Sequence, residues 1–296
     1  MSMVIVDKRV IETSNEEKII FPRDKITKAD LIEYYTTIAP IMLRHIKRHP
    51  ITMQRFPDGI NQNGFYQKDI GTYFPSWIKR VTIKSKIDAH PVTYVVCDNA
   101  ATLAYLANQA VVTIHIWLST VGRLHHPDRL IFDLDPAHNI SWHTLIDGAY
   151  QLHMLLAHFE IQSFVMTTGS KGLHVVVPLA QKNSFTQTRS FTLAIALELI
   201  KKFPTLFTTE ITKEKRKNKI FIDTLRNQWA QLAVAPYSLR PLPNAPIATP
   251  LSWSQLSNTK SAQQYTMKTL HKHIAKQGDP WASFFDYAQT LPKPKK

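Results

Sequence analysis

The stretch Ile131-Phe-Asp-Leu-Asp-Pro136 carries the most informative chemical pattern in the chain. Side chains alternate between the two faces of a β-strand, so Asp133 and Asp135 point the same way while the apolar residues beside them enter the core. The rise of a strand places these carboxylates roughly 7 Å apart, and the proline ends the strand. Two acids on one face repel each other and are tolerated where a divalent cation neutralises them. For an isolated Asp-x-Asp pair, an ordinary solvated face is the alternative.

A third carboxylate favours the metal interpretation. Lys219-Ile-Phe-Ile-Asp-Thr224 is another apolar strand, and it ends near a single acid, Asp223. Three acids at the ends of apolar strands are what a two-metal site for phosphoryl transfer needs. An Asp-x-Asp pair also opens phosphatases that form an aspartyl phosphate, but the sequence lacks the further motifs of that chemistry.

A turn that contains glycine and lysine joins two apolar strands between Thr167 and Pro178. Gly169 and Gly172 let backbone N–H groups approach an anion closely, and Lys171 adds a cation at the tip. The spacing excludes a Walker A loop, and a tight hairpin with an exposed lysine is the alternative. Next to the acidic strands, the turn favours triphosphate binding.

Aromatic and cationic residues lie together in the N-terminal third. Arg55-Phe-Pro-Asp-Gly59 leads into Gly64-Phe-Tyr-Gln-Lys68, which is predicted to be a loop. Adjacent aromatics beside cations suit base stacking combined with phosphate contact, and simple burial of the Phe-Tyr pair is the alternative. Lys and Arg number 36 against 22 Asp and Glu, so the net charge of +14 fits a polyanionic partner such as nucleic acid.

The composition excludes several other classes. The chain has 296 residues, of which 44% are hydrophobic and 20% charged, as in a folded protein. Its single cysteine, Cys97, excludes an internal disulfide framework and a Cys-rich zinc site, and is predicted to be buried. No apolar run approaches the ~18 residues of a membrane span, and residues 1–9 lack the apolar core of a signal peptide. We therefore expect a cytoplasmic protein.

Periodicity and capping patterns predict an α/β (α+β) chain with a mixed sheet, not a regular doubly wound one. The predicted helices are 28–49, 99–109, 141–160 and 184–203, and the predicted strands are 111–117, 129–135, 162–168, 173–179, 219–224 and 231–236. Thr27 is the expected N-cap of the first helix, with Asp30 three residues on. Pro40 lies inside that pattern and predicts a kink or a restart.

These motifs resemble the polymerase domain of bacterial ligase D, a branch of the archaeo-eukaryotic primase superfamily. The corresponding stretches match that family in order and spacing: Phe132-Asp-Leu-Asp135, Gly172-Leu-His174 and Ile222-Asp223. Similar family stretches extend from Lys18 to Trp253, including Lys18-Ile-Ile-Phe-Pro22, Ile26-Thr-Lys28, Ile114-His-Ile-Trp117 and Val234-Ala-Pro-Tyr-Ser-Leu-Arg240. The resemblance implies an archaeo-eukaryotic primase-like fold, in which an N-terminal module packs around an RRM-like catalytic sheet.

The resemblance also implies a division of the chain and a role for each matching residue. One primase-polymerase domain would cover 1–290, with an N-terminal module over 1–110, a catalytic core over 111–255 and a C-terminal segment over 256–290; residues 291–296 would be a tail. Asp133, Asp135 and Asp223 would be catalytic and hold Mn²⁺ or Mg²⁺. The nucleotide would be bound by Phe65, His115, Thr168, Ser170, Lys171, Gly172, His174 and Arg240. DNA and its 5′-phosphate would be bound by Lys18, Lys28, Arg55, Tyr66 and Lys68.

Two departures qualify this resemblance. Relatives often carry a basic residue shortly before the stretch that ends at Arg240, whereas this chain has Asn227-Gln-Trp-Ala-Gln231. The adenylating ligase motif Lys-x-Asp-Gly is absent from the sequence, so we expect either a stand-alone polymerase, which is the favoured alternative, or a piece of a longer protein. We also expect a bacterial protein that is monomeric and associated with the nucleoid. The family suggests a Ku-like protein and a separate ATP-dependent DNA ligase as partners.

The predicted function is metal-dependent addition of an NTP or dNTP to a primer 3′-OH, at DNA ends or gaps, in repair of the non-homologous end-joining type. A two-metal nuclease is one alternative, since it would share the three acids. A non-catalytic protein that bridges DNA ends is another, since it would share the basic surface. Neither alternative needs the third carboxylate together with the Gly-Ser-Lys-Gly turn.

Overall fold

The computed structural model describes residues 2–84 and 90–292; residues 293–296 of the predicted tail lie outside this part. The strands in chain order are β1 (Ser2–Val6), β2 (Arg9–Thr13), β3 (Ile19–Phe21), β4 (Ile26–Thr27), β5 (Pro50–Arg55), β6 (Phe65–Gln67), β7 (Arg80–Ile83), β8 (Val92–Val96), β9 (Val111–Trp117), β10 (Arg129–Pro136), β11 (Phe164–Thr167), β12 (Leu173–Pro178), β13 (Phe207–Thr208), β14 (Ile220–Asp223), β15 (Leu232–Val234) and β16 (Pro250–Leu251). The helices are α1 (Lys28–Ile46), α2 (Ala100–Asn108), α3 (Trp142–His158), α4 (Phe185–Lys202), α5 (Trp253–Leu256) and α6 (Leu270–Gln277). Short 3₁₀ turns occupy Lys213–Lys215, Leu225–Asn227 and Phe284–Tyr287.

The catalytic sheet predicted around Asp133 has six strands in the order β13-β14-β10-β12-β11-β16. Its central part runs β10-α3-β11-β12-α4-β14 along the chain, with the spatial order β14-β10-β12-β11. This is the split βαβ arrangement of ferredoxin-like and RRM-like sheets. Strands β13 and β14 are parallel and the other neighbours antiparallel, so the prediction of a mixed sheet in an α/β chain is confirmed.

A second sheet has the order β15-β9-β5-β8-β7, with β6 paired to β5. It combines β5 to β8 from the predicted N-terminal module with β9 and β15 from the predicted catalytic core, so the two predicted parts interleave in space. The strands β1 to β4 form two small sheets, β1-β2 and β3-β4. The division of the chain at residue 110 stays a prediction.

The two faces of the catalytic sheet have different neighbours. On one face, Phe132 and other apolar residues share a core with side chains of α3 and α4 such as Leu152 and Leu199. On the opposite face, Ile131 belongs to a smaller core with Ala233 and Val234 of β15. Because Asp133 lies two residues after Ile131, its side chain is on this second face, between the two large sheets.

Helix α1 illustrates how tertiary packing outweighs a local signal. Thr27 caps the helix and Asp30 completes the reciprocal capping box, as predicted. The helix then continues through Pro40 to Ile46, so the predicted restart at this proline is wrong. The buried apolar face that surrounds the proline, which includes Ile38 and Met42, holds the helix against the core despite the missing N–H donor.

The strands of the N-terminal third were not predicted, and the stretch assigned to a loop at 64–68 contains β6. β6 has only three residues and depends on β5, where Arg55 lies opposite Phe65 and Met53 opposite Gln67. Such short strands gain their stability from partners elsewhere in the chain, which local patterns do not reveal. Within the described ranges, no helix combines the length and the apolar character that a membrane span requires.

Candidate active site

Strand register brings the three predicted catalytic acids onto one patch of the catalytic sheet. Asp133 on β10 lies directly opposite Asp223 on β14 and, on its other side, opposite His174 on β12. Asp135 follows two residues later on the same face. The His174 Nε2 atom is 3.5 Å from Asp133 Oδ1. The four side chains therefore form one ionisable cluster across three neighbouring strands.

Arg226 joins this cluster, although the sequence analysis did not single it out. Its Nε atom lies 3.3 Å from Asp133 Oδ2 and 3.4 Å from Asp223 Oδ2. The 3₁₀ turn over Leu225–Asn227 reverses the chain immediately after β14 and returns the guanidinium to the carboxylates. The available signal was its position three residues after Asp223, but that spacing indicates an ion pair only when the intervening turn is known.

The surroundings of Asp133 and Asp135 shift the pKa values of the two carboxyls in opposite directions. Burial would raise the pKa of Asp133, but His174 and Arg226 hold it below its ordinary value. Burial, and then the negative charge of Asp133, raise the pKa of Asp135 to about 6. An acid with a raised pKa releases its proton more readily when a cation binds beside it.

The carboxylate set fits a divalent metal by its chemistry. Hard cations such as Mg²⁺ and Mn²⁺ prefer carboxylate oxygens, and the raised pKa of Asp135 shows that positive charge is still favourable beside it. Within the described residues, no three His, Cys, Asp or Glu side chains already converge on one metal position. Arg226 instead spans Asp133 and Asp223, so a metal shared by these two acids would compete with its guanidinium.

The Gly-Ser-Lys-Gly turn between β11 and β12 is ordered by Thr168. Its hydroxyl accepts from the Ser170 and Gly172 N–H groups at 3.3 and 3.1 Å and donates to the Gly172 carbonyl. Gly169 has a left-handed φ of +66°, and a Cβ on Gly172 would overlap the Leu134 carbonyl of β10. Gly172 is therefore needed for close packing against the acidic strand, a reason additional to the predicted anion binding.

A polar cavity of about 270 Å³ connects Asp133 and Asp135 with this turn, whereas Asp223 is not among its lining residues. Its lining comes from both large sheets and includes Tyr66, His115, Asp133, Asp135, Thr168, Ser170, Lys171, His174, Arg226, Leu232, Ala233, Val234 and Arg240. His115 is neutral here, since burial, and then the charge of Arg240, lower its pKa to about 3. The structure thus brings together most of the residues predicted to bind the nucleotide. Tyr66, predicted to contact DNA, also lies in this cavity.

Arg55, the last residue of β5, lies directly opposite Phe65, the first residue of β6. The Arg55 guanidinium lies 5.4 Å from the centre of the Phe65 ring. It also donates to the backbone and side-chain oxygens of Gln109 and to the side chain of Gln67. Phe65 is 46% exposed, so its ring is available for stacking, whereas the donors of Arg55 are engaged within the protein. Lys68, predicted to lie near DNA, is exposed.

The two lysines predicted to bind a 5′-phosphate meet at the start of α1. The Lys28 N–H donates to the Lys18 carbonyl at 2.9 Å, and the Lys28 ammonium approaches the Ser14 hydroxyl at 3.4 Å. Burial, and then the positive charge of Lys18, lower the pKa of Lys28. The Lys18 ammonium is 2.7 Å from Asp58. Two like charges beside a helix N-terminus form a place where an anion is favourable.

Comparisons with known proteins agree with this geometry. The family model described as "LigD, primase-polymerase domain" matches residues 27–281. The solved polymerase domain from Mycobacterium tuberculosis ligase D in complex with DNA superposes with a TM-score of 0.87 at 30% identity, covering 94% of this chain and 99% of that one. The multifunctional non-homologous end-joining protein LigD of Mycolicibacterium smegmatis is 32% identical over 84% of this chain and 32% of its own length. The bifunctional LigD of Bacillus subtilis is 29% identical over 95% of this chain and 45% of its own length.

The fold and site define a primase-polymerase type of nucleotidyltransferase domain. The chain belongs to the LigD primase-polymerase domain family, and the predicted family and fold are confirmed. It spans about a third to a little under half of the length of these curated relatives, which are proteins of non-homologous end-joining repair.

Proposed function

We propose that this protein adds nucleotides to the 3′-OH of a primer strand at broken or gapped DNA, with Mn²⁺ or Mg²⁺ as cofactor. The observation that carries the proposal is a single cavity that is lined by both carboxylates and cations. Asp133 and Asp135 line it together with Lys171, at the tip of the Thr168–Gly172 turn, and with Arg240. Carboxylates suit metal binding and cations suit a triphosphate, which is the combination that nucleotidyl transfer requires.

Each residue of the cavity then has a defined task. The metals, held by Asp133, Asp135 and Asp223, would supply activation of the attacking hydroxyl and neutralisation of the phosphates. Lys171 and Arg240 bind the triphosphate and offset the charge that grows on the departing pyrophosphate. The neutral His115 ring offers a hydrogen bond to a phosphate oxygen without adding a charge.

The rest of the molecule provides the DNA contacts in this proposal. Tyr66 lines the cavity, its neighbour Phe65 is on the other face of β6, and both exposed rings are available to stack on bases. Lys18 and Lys28 bind the 5′-phosphate on the far side of a gap. The net charge of +14 draws the chain to DNA in a salt-dependent manner. We further propose that it acts as a monomer near the bacterial nucleoid, with a Ku-like protein and an ATP-dependent DNA ligase as repair partners.

The test is extension of a labelled, gapped, 5′-phosphorylated duplex by the purified chain with each NTP and dNTP, in Mn²⁺ and in Mg²⁺. Asp133→Ala is the negative variant. We expect metal-dependent addition of nucleotides that the variant loses by at least about 10³-fold, while its DNA affinity changes by less than about threefold.

A matched control is Asp147→Ala, which removes an exposed carboxylate on α3 that lies 3.8 Å from His143 Nε2. It is expected to extend the primer as well as the wild-type chain. Metal-dependent shortening of the labelled strand would identify a nuclease instead. DNA binding without either product would identify an end-bridging protein and overturn the proposal.

A further inference from the structure

Arg240 reaches the cavity from a loop that also contacts the Thr168–Gly172 turn, which we call the nucleotide turn below. The loop is closed on itself, since the Arg240 N–H donates to the Pro246 carbonyl at 2.8 Å and the Ala248 N–H donates to the Ser238 carbonyl at 2.9 Å. A Cβ atom added at Gly169 would lie 2.8 Å from Arg240 Cγ. A change in the path of this loop would therefore move Arg240 and disturb the turn that carries Lys171.

The loop begins at Tyr237, whose backbone has a left-handed φ of +66°. A bulky aromatic residue adopts this conformation only when its surroundings hold it there. The Tyr237 N–H donates to the Ala248 carbonyl at 2.7 Å, and the Tyr34 hydroxyl donates to the Tyr237 carbonyl at 2.6 Å. Both backbone groups of Tyr237 are thus held, and its ring is fully buried.

The side chain of Tyr237 is held by a residue from a remote part of the chain. Its hydroxyl donates to Asp279 Oδ1 at 2.5 Å, and the Trp281 N–H donates to the same oxygen at 2.9 Å. Asp279 Oδ2 lies 3.5 Å from His45 Nε2, and the carboxylate is almost completely buried. Asp279 is remote in sequence from the acids and from the nucleotide turn, and it does not line the cavity.

We propose that Asp279 and Tyr237 are positioning residues for Arg240. Asp279 fixes the Tyr237 hydroxyl, Tyr237 keeps its left-handed backbone, and the loop that follows holds the guanidinium of Arg240 against the triphosphate. The C-terminal segment at 256–290 therefore contributes to nucleotide affinity without touching the nucleotide. This inference rests on the proposed polymerase function, because it assigns a task to Arg240 within that function.

The first test is Tyr237→Phe in the full chain, which removes only the hydroxyl. We expect KM for the incoming nucleotide to rise about tenfold, while the affinity for gapped DNA changes by less than about twofold. Tyr150→Phe is the matched control, since it removes a comparable hydroxyl that donates to the Trp253 carbonyl at 2.5 Å on the α3 side. The control is expected to keep the wild-type KM.

A second pair of variants separates positioning from general destabilisation. Asp279→Ala is expected to resemble Tyr237→Phe, whereas Asp279→Asn keeps an acceptor oxygen for the tyrosine and is expected to recover most of the nucleotide affinity. Thermal unfolding identifies which variants are folded at the assay temperature. If Tyr237→Phe fails to fold, a double-mutant cycle of Asp279→Ala with Arg240→Ala measures the same coupling.

The decisive measurement is a double-mutant cycle with Arg240→Ala. If Asp279 and Tyr237 act through Arg240, adding Tyr237→Phe to Arg240→Ala raises KM by less than about twofold. If the two substitutions raise KM independently, so that their factors multiply in the double variant, the inference is overturned. An unchanged KM in Tyr237→Phe would also overturn it. Failure of the wild-type chain to extend any primer would instead refute the proposed function, so the two failures are distinguishable.

Discussion

Two regions of the molecule hold like charges close together, and they are opposite in sign. Around β10, Asp133 and Asp135 share one face, and the pKa of Asp135 is raised by burial and by its neighbour. At the start of α1, Lys18 and Lys28 lie together, and the pKa of Lys28 is lowered by burial and by its neighbour. Each region also contains opposite charges: Arg226 in the first, and Asp58, Glu16 and Glu17 in the second.

The comparison shows how a protein prepares a site for a charged ligand. Like charges held together store unfavourable electrostatic energy, which binding of a cation or a phosphate relieves. The acidic region is buried between two sheets, so its interactions are strong and weakly screened by salt. The lysine region is more open, because Lys18 is 39% exposed, so smaller and more salt-dependent effects are expected there.

The largest predicted effect is that of Asp135→Asn on the acidic region. We expect primer extension to fall by on the order of 10³-fold, because a carboxylate ligand is lost. The metal-free variant is nevertheless expected to be more stable than the wild-type chain by about 1–2 kcal/mol at pH 7, because the cost of burying the Asp135 charge, and then its repulsion with Asp133, disappears. Denaturant unfolding in EDTA measures this difference.

The pH dependence of that stability difference provides the control. An acid whose pKa rises to about 6 on folding binds more protons in the folded chain between about pH 4 and pH 6. The wild-type stability therefore falls over this range as the pH rises, relative to Asp135→Asn. Equal stabilities of the two chains at pH 7 would contradict an Asp135 carboxylate that is destabilised by burial and by Asp133.

An intermediate effect is expected in the lysine region. Lys28→Ala should reduce the preference for a 5′-phosphate over a 5′-hydroxyl at a gap by about 10-fold or more, since a charge-assisted contact is lost. Binding of the two gapped duplexes, measured by fluorescence anisotropy, gives the preference. Asp58→Asn should increase the preference for the 5′-phosphate, because it releases the Lys18 ammonium. A preference unchanged in Lys28→Ala would exclude this lysine from the phosphate site.

The smallest effect distinguishes Arg55 from these lysines. Its donors are engaged with Gln67 and Gln109, so we expect it to position Phe65 and not to bind a phosphate of DNA. Arg55→Gln should therefore raise KM for the nucleotide by about threefold and leave the salt dependence of DNA binding unchanged. Lys28→Ala should reduce the slope of that dependence by about 1. A comparable reduction in Arg55→Gln would support the predicted contact of Arg55 with DNA.

The sequence predicted the residues of the site that local patterns place, and it did not predict those that strand register or a later turn places. The shared face of Asp133 and Asp135 followed from the two-residue period of a strand, and the turn at Gly169–Gly172 followed from its residue types. Asp223 was predicted to join the site because it ends an apolar strand, but its position directly opposite Asp133 depends on strand register, which local patterns do not give. Arg226 was missed because its return to the acids depends on one 3₁₀ turn.

The sequence by itself determined the acidic strand, the turn at Gly169–Gly172, the main helices with their caps and, through its motifs, the family. These features depend on neighbours within a few residues, where backbone geometry is nearly the same in every protein. Only the tertiary structure decided that Lys18 approaches Lys28, that Arg55 supports Phe65 and that Asp279 holds Tyr237. Such contacts join residues brought together by the stacking of sheets and helices, and no local period of the chain encodes that arrangement.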